Sequence, residues 1–442
     1  VELAKNKKYS QALELCKRLK KKNPKNEIII NTLSIVYRRL GRYREALFWA
    51  KEAIVLNSEF WPAHNNIARI YHDMGDLEKC LKIYRKIKDK EPGYLEARVN
   101  FAVSLKSTGD YAASLVEYNA LAKLKNSNTI QFHLALTQLC LGMYEKGFLG
   151  YEVRWKVFPL NKSVWPIKDR ELWEGQRDKN VLLWKEQGIG DDILFMGLVP
   201  EASEITNSTT VFTDPRLISL CERGMPGVIF KPYRGKIEDE EFDYHLPMGS
   251  LPRLFRNSEK DFERVTTGYL KADPKRVEDL SQELGIGNKK VIGISWKSIK
   301  SLHTLKKSLC LMELGKIFQG LDVVLLNLQY GDVNEEIRDF TKATGIEVLQ
   351  CKSVDNREDL DGLAALIENC DLVVSTSNVT IHLAGALGKE TWVLLPYVAN
   401  FWWLLDRTDS VWYPTLKLYR QKKFQDWSNV LLDLKKDLNR KF

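Results

Sequence analysis

The sequence predicts a helical repeat array followed by an α/β region in two halves, each built on a parallel sheet. Three observations predict it. Gly41, Gly75 and Gly109 stand 34 residues apart, with Gly142 one residue short of the next step. From Val181 onward, short apolar runs alternate with helical patterns in two series. The stretch Asp371-Leu-Val-Val-Ser-Thr-Ser-Asn-Val-Thr-Ile-His382-Leu-Ala-Gly-Ala-Leu-Gly388 reads as a buried strand, a polar turn and a tightly packed helix, and it runs on into Thr391-Trp-Val-Leu-Leu-Pro396.

The repeat comes first. Two residues after each glycine stands a large apolar or aromatic residue: Tyr43, Leu77, Tyr111, Tyr144. Three further on stands a small one: Ala46, Cys80, Ser114, Gly147. Tyr9 and Ala12 supply the same pair one repeat earlier, and Pro24 and Pro92 fall at matching ends. Small residues let two helices cross closely, glycine supports the turn, and proline ends the second helix. This pattern resembles the tetratricopeptide repeat (TPR) over residues 1–147, with a half repeat at the start and a degenerate one at the end. The resemblance implies an α-helical TPR solenoid whose concave face takes a protein or peptide. Asn31, Asn65, Arg69, Asn100 and Lys106 are the expected groove residues.

Composition narrows the class. With 442 residues, 44% of them hydrophobic and 28% charged, the chain has the make-up of a globular protein of two or three domains. No apolar run approaches the roughly 18 residues of a membrane span, and no signal peptide is legible. The seven cysteines are scattered without a C-x-x-C pair, as expected for reduced thiols in a cytoplasmic protein. Val1 falls mid-pattern, so a preceding piece is expected. The net charge of +9 is concentrated in residues 1–50, which hold 13 Lys/Arg against 4 Asp/Glu, while the remainder cancels. A solvated helical surface accounts for that excess, and no nucleic-acid partner is expected.

In the α/β region, strands are expected at Val181–Trp184, Thr210–Thr213 and Val228–Lys231. A second series is expected at Val291–Trp296, Val323–Leu328, Glu347–Leu349, Leu372–Ser375 and Trp392–Leu395. Lys185-Glu-Gln-Gly-Ile-Gly190-Asp-Asp192 follows the first strand. Gly188 and Gly190 lack the third glycine of a dinucleotide fingerprint, and no Walker-A, G-x-S-x-G or H-E-x-x-H sequence occurs. Asp359-Leu-Asp361 has the form of a metal-binding D-x-D pair, but its place at a helix start is explained by the helix dipole. No metal and no cofactor are expected. The hydroxyl- and amide-rich turn Ser375–Thr380 falls where a helix begins, so unpaired N–H groups there suit an anion such as a diphosphate.

Several blocks together resemble one family. They are Glu186-Gln-Gly-Ile-Gly-Asp191, Gly293-Ile-Ser-Trp296, Leu328-Gln-Tyr-Gly-Asp332, Asp361-Gly-Leu-Ala-Ala365, Ser375–Gly388, Trp392-Val-Leu-Leu-Pro396, Trp402-Trp-Leu-Leu405 and Trp412-Tyr-Pro414. In this order they resemble glycosyltransferases related to the heptosyltransferase family (glycosyltransferase family 9), in the form fused to tetratricopeptide repeats. The resemblance implies a GT-B fold, two Rossmann-like domains facing a cleft, with a nucleotide-sugar donor as co-substrate. It divides the chain into repeats (1–147), a connecting segment (148–179), an acceptor-side domain (180–285) and a donor-binding domain with a returning C-terminal helix (286–442).

The same resemblance gives residues their expected roles. Asp191 is the base that takes the acceptor proton, with a helix N-cap carboxylate as the alternative. Lys297, Lys307, Gln329, Ser375, Ser377, Asn378, Val379, Thr380 and His382 hold the donor. Gln187, Gly188 and Gly190 form the acceptor-side loop. Ser377 stands where many relatives carry Asp, which leaves the sugar and nucleotide open. Trp402 and Trp403 either line the cleft or lock the C-terminal helix, and the lock is the leading expectation. The leading expectation is sugar transfer to a protein acceptor held by the repeats. Transfer to lipopolysaccharide or another glycan, and a scaffold with a decayed transferase domain, stay open.

Overall fold

The structure, a computed structural model, describes residues 9–157, 167, 170–235, 237, 241–265, 267–298 and 308–442. Contacts divide the chain into two compact units, Val1–Thr137 and Gln138–Phe442.

The first unit is helical: α1 (Tyr9–Lys22), α2 (Glu27–Arg39), α3 (Tyr43–Leu56), α4 (Trp61–Met74), α5 (Leu77–Lys90), α6 (Leu95–Ser107), α7 (Tyr111–Leu124) and the start of α8 (Asn128–Cys140). The repeated glycines have a conformational cause. Gly41, Gly75 and Gly109 turn from one helix of a pair to the next with φ of 75°, 82° and 82°, a left-handed region costly for any residue with a Cβ. The small positions Ala46, Cys80 and Ser114 are fully buried where paired helices touch, and Ser114 Oγ donates to Ala102 O across the contact (2.8 Å).

Polar contacts join α2, α4 and α6 at one-repeat spacing. Arg38 pairs with Asp73 (2.7 Å), Asn100 donates to Asn65 (3.1 Å), and His72 meets Ser107 (2.9 Å). Asn66 donates to both Ser34 Oγ (2.6 Å) and Asn31 Oδ1 (3.3 Å). This revises the groove expectation. Asn31 and Asn65 are buried and use their amides to hold adjacent helices together. Of the expected set, Arg69 stays more open, reaching Glu96 at 3.4 Å.

The second unit carries two all-parallel sheets. The first contains β1 (Asn180–Trp184), β2 (Ser208–Thr213), β3 (Ile229–Pro232) and β4 (Tyr244–Pro247) in the order β3-β2-β1-β4. The second contains β5 (Val291–Ser295), β6 (Val324–Asn327), β7 (Val348–Leu349), β8 (Leu372–Thr376), β9 (Thr391–Leu395) and β10 (Leu416–Arg420) in the order β10-β9-β8-β5-β6-β7. Both orders reverse direction beside their first strand, between β1 and β4 and between β5 and β8. In doubly wound sheets such a switch opens a crevice at the strands' C-terminal ends, because successive crossovers leave on opposite faces.

β4 and β10 escaped the sequence reading. Tyr244-His-Leu-Pro247 is four residues long with a proline at its end, and Leu416-Lys-Leu-Tyr-Arg420 is an edge strand with one exposed lysine. Neither has an apolar run long enough to announce itself. The last repeat-like helix, α9 (Tyr144–Tyr151), packs inside the second unit: Tyr144 lies 5.0 Å from Phe262 and Tyr151 5.6 Å from Phe401, ring to ring. The Trp/Pro-rich bridge also joins this unit. Trp155 packs on Trp184, and fully buried Trp173 donates its backbone N–H to His245 O (2.9 Å). The C-terminal helix Ser428–Lys441 lays Val430, Leu434 and Leu438 into the core of the second sheet, beside Phe318 and Tyr419.

Two measurements check this account. Gly109→Ala should destabilise the helical unit by about 1–2 kcal/mol through its left-handed backbone, whereas Gly93→Ala, in open space without positive φ, should change stability by less than about 0.5 kcal/mol in thermal denaturation. His133, stacked on Tyr118, has its pKa lowered to about 4, by burial first and Lys106 second. Its unfolded form gains a proton near pH 6.5 and its folded form does not, so stability should fall as pH drops from 6.5 to 4, with a slope up to about 1.4 kcal/mol per unit. His133→Gln should flatten that slope.

Candidate functional site

Three helices build the site: α10 (Ile189–Met196), α11 (Leu360–Glu368) and α12 (Val379–Leu387). At the switch point of the second sheet, one side chain ties the diverging strand ends together. That residue is Asn378, the N-cap of α12. Its Oδ1 accepts the Thr380 N–H (2.9 Å), while its Nδ2 donates to Ser295 Oγ at the end of β5 (2.7 Å) and to Lys297 O (3.4 Å). Gln329 completes the floor. Its Oε1 accepts from Ser295 Oγ (3.1 Å), Trp296 N–H (3.0 Å) and Lys297 N–H (2.9 Å).

Above this floor lies a cleft of about 670 Å³ between the two sheets. From the first sheet it is lined by Gly188, Ile189, Gly190, Asp191 and Arg216; from the second by Ser298, Tyr330, Asn356, Ser377, Asn378, Val379, His382 and Trp402, among others. The halves come close at α10 and α12. A Cβ on Gly190 would stand 3.1 Å from His382 Cδ2, and Leu270 N–H donates to Ala386 O (3.1 Å). Gly385 has no room for a Cβ, which would sit 2.6 Å from Tyr413, so the small residues of α12 are set by close packing.

Most of the expected site residues converge here. Asp191 lies in the first turn of α10, three residues after the N-cap Gly188, so it is not the N-cap carboxylate. Its charge is felt by Tyr413, whose pKa is raised well above the ordinary value by burial first and then by Tyr269 and Asp191. Gln187 is held by Tyr151, whose OH accepts from Nε2 (2.8 Å). Ser377 accepts the indole N–H of Trp403 (3.1 Å), and Ser375 Oγ donates to Thr376 O (2.9 Å). Buried Thr380 Oγ1 has no hydrogen-bond partner among the described residues.

His382 is boxed by aromatics: Trp403 stacks on it (5.7 Å), Trp402 meets it edge-on (5.9 Å), and Tyr413 OH bonds Nδ1 (3.0 Å). Trp402 therefore lines the cleft, while buried Trp403 backs it by stacking on His382, which favours the cleft alternative over the expected lock on the C-terminal helix.

One expected donor lysine does not join the group. Lys297 Nζ pairs with Glu336 at 2.5 Å and is not among the cleft-lining residues. Lys307 lies outside the described residues. Gln329 and Ser375 act from below the cleft surface. In the D-x-D pair, Asp359 caps α11 through the Gly362 N–H (2.9 Å) and pairs with Arg276, while Asp361 pairs with Arg223.

Asp192, beside Asp191, is buried. It accepts from Thr213 Oγ1 (2.8 Å), and burial raises its pKa to about 6 despite Lys185 nearby. It fixes α10 to the end of β2.

The switch point of the first sheet is filled by protein. Arg154 forks onto Glu186 (2.7 and 2.8 Å) and also reaches Ser250 (2.8 Å) and Glu152 (2.7 Å). Burial works against its charge, but Glu186 and Glu152 outweigh it and raise the pKa. A Cβ on Gly249 would strike the Glu186 carboxylate. Arg154 thus anchors the loop that leads to Gly188 and Asp191.

Arg216, Tyr330, Asn356 and Arg357 were not among the expected site residues. Arg216 follows β2 in the first half; Tyr330 follows β6 and lies within a block already quoted, so its place at a strand end was the available signal.

The comparisons with known proteins bear on the repeats. A family model described as tetratricopeptide repeat matches residues 62–89, one helix pair of the array. That helix pair is a tetratricopeptide repeat, and the turn glycines on either side of it, Gly41 and Gly109, keep the same 34-residue spacing. Protein FlbA of Caulobacter vibrioides is 28% identical over 430 residues, covering 91% of this chain and 71% of its own. Among solved structures, a thermophilic TPR protein of Thermus thermophilus is similar at 19% identity and a TM-score of 0.33, over 36% of this chain and 88% of its own. YrrB, a TPR protein with an unusual peptide-binding site, matches at 13% identity and a TM-score of 0.28, over 34% and 77%. No helix among the described residues is long and apolar enough to cross a membrane.

Arg154→Met should lower the unfolding free energy of the α/β unit by about 3–5 kcal/mol, since it leaves Glu186 buried and unpaired. Urea unfolding followed by the fluorescence of packed Trp155 and Trp184 reads this out.

Proposed function

We propose that the chain is a glycosyltransferase of the GT-B type, moving a sugar from a nucleotide-sugar donor to a protein acceptor recruited by its repeats. One observation carries the reading. Asp191 of the first half and the Asn378–His382 helix start of the second half line one cleft, at a sheet switch point where such folds bind nucleotides. The family resemblance of the quoted blocks supplies the reaction class.

The chemistry is balanced by these groups. Asp191 accepts the proton of the acceptor hydroxyl; the acceptor oxygen forms a bond to the anomeric carbon as that carbon's bond to the diphosphate oxygen breaks. The leaving diphosphate carries the electron pair away and is stabilised by the N-terminal N–H groups of α12. His382, in its aromatic box, and Trp402 face the sugar side of the cleft. Ser377, engaged by Trp403, offers no carboxylate to the donor sugar, which sets this site apart from relatives with Asp in the turn. The repeats suit a protein acceptor, since stacked helical pairs offer an extended surface for peptide segments.

A thermal-shift screen across UDP-, GDP-, ADP- and CMP-sugars should find one clear stabiliser of the full chain. No shift at millimolar ligand would favour a non-catalytic scaffold. Asp191→Asn should reduce transfer by about a hundredfold or more while sparing the nucleotide shift. Undiminished turnover would remove Asp191 from the role of base.

A further inference from the structure

We propose that Arg216, brought into the cleft by the turn after β2, is a ligand of the donor's diphosphate contributed by the opposite half of the enzyme. The proposal rests on the glycosyl-transfer reading and names a residue to which neither sequence nor resemblance assigned a role. It begins with charge. A departing diphosphate needs cations, yet Lys297 is paired with Glu336 outside the cleft lining. Among the described residues lining the cleft, the cations are Arg216 and Arg357. The Arg357 side chain is 70% exposed and lies against Glu358, whereas that of Arg216 is 31% exposed.

Arg216 is also held in advance. Asp214 grips one edge of the guanidinium, with Nε to Oδ1 at 2.9 Å and Nη2 to Oδ2 at 3.0 Å. Lys185 steadies the same carboxylate at 3.1 Å. Nη1 donates to Arg357 O across the cleft (2.8 Å). Three of the five N–H donors of an arginine are thus engaged, which leaves one on each terminal nitrogen. Two N–H groups on a planar fork match two phosphoryl oxygens, and a fork already fixed by a carboxylate loses little freedom on binding. The neighbouring Glu358 carboxylate, 3.5 Å from Nη1, is the group that an incoming anion would compete with.

Calorimetric titration of the full chain with UDP, ADP, GDP and CDP, each beside its nucleoside, tests the assignment. For whichever diphosphate the wild type binds, Arg216→Met should weaken affinity by roughly 10- to 100-fold and leave the nucleoside's affinity unchanged. Arg216→Lys, which keeps the charge and loses the fork, should fall between them. Glu358→Gln should bind the diphosphate as tightly as wild type or more tightly. Equal diphosphate binding by wild type and Arg216→Met overturns the assignment and leaves the glycosyl-transfer reading standing. A loss in Glu358→Gln matching that in Arg216→Met also overturns it, since Arg216 would then serve only as a latch between the halves. Failure of the wild type to bind any of the four diphosphates overturns this proposal, and it defeats the parent reading as well only if no nucleotide-sugar, CMP-sugars included, stabilises the chain.

Discussion

The split between β5 and β8 is the constraint on which the site depends. Strand order forces the crossovers that follow these strands onto opposite faces of the sheet, so their C-terminal ends cannot be closed by a short connection. The backbone there would be left with unpaired polar groups. Asn378 resolves this with one amide, capping α12 with its oxygen and bridging to Ser295 and Lys297 with its nitrogen. Gln329 does the same for the N–H groups of Trp296 and Lys297. These buried amides give the cleft a firm floor and a helix start that borders it.

The rest of the site is built outward from that floor by packing. Gly385 allows Tyr413 to lie against α12, Tyr413 bonds His382, and Trp403 both stacks on His382 and donates to Ser377. On the facing side, Asp192 pins α10 to β2 while Arg154 pins the loop before it through Glu186. Asp191 is therefore presented from a segment fixed at both ends. Its neighbour Asp192, identical in chemistry, is turned inward and serves structure.

Much of this was legible in the sequence. The glycines at 34-residue steps marked left-handed turns, and the small residues beside them marked helix contacts, because both follow from local geometry. Strands β5, β6 and β8 announced themselves as apolar runs, since strands covered on both faces need no alternation. The turn Ser375–Thr380 was visible because hydroxyl and amide residues gather where a helix must be capped. β4 and β10 were not visible: one ends in proline and the other is a short edge. Nor was the fate of the groove asparagines. Asn31 and Asn65 have the residue type of a binding surface, and only the neighbouring helices show that their amides are used internally.

The sequence by itself determined the repeat period, the alternation of strands and helices apart from β4 and β10, and which turn bears the polar cluster. These are properties of neighbours along the chain. The tertiary structure alone decided which charges are available: Lys297 pairs with Glu336, while Arg216 and Asp191 come to the cleft from another sheet. A side chain's chemistry is written in the sequence, but the partner that neutralises it is set by folding across dozens of residues. Availability of charge is therefore a property of the fold.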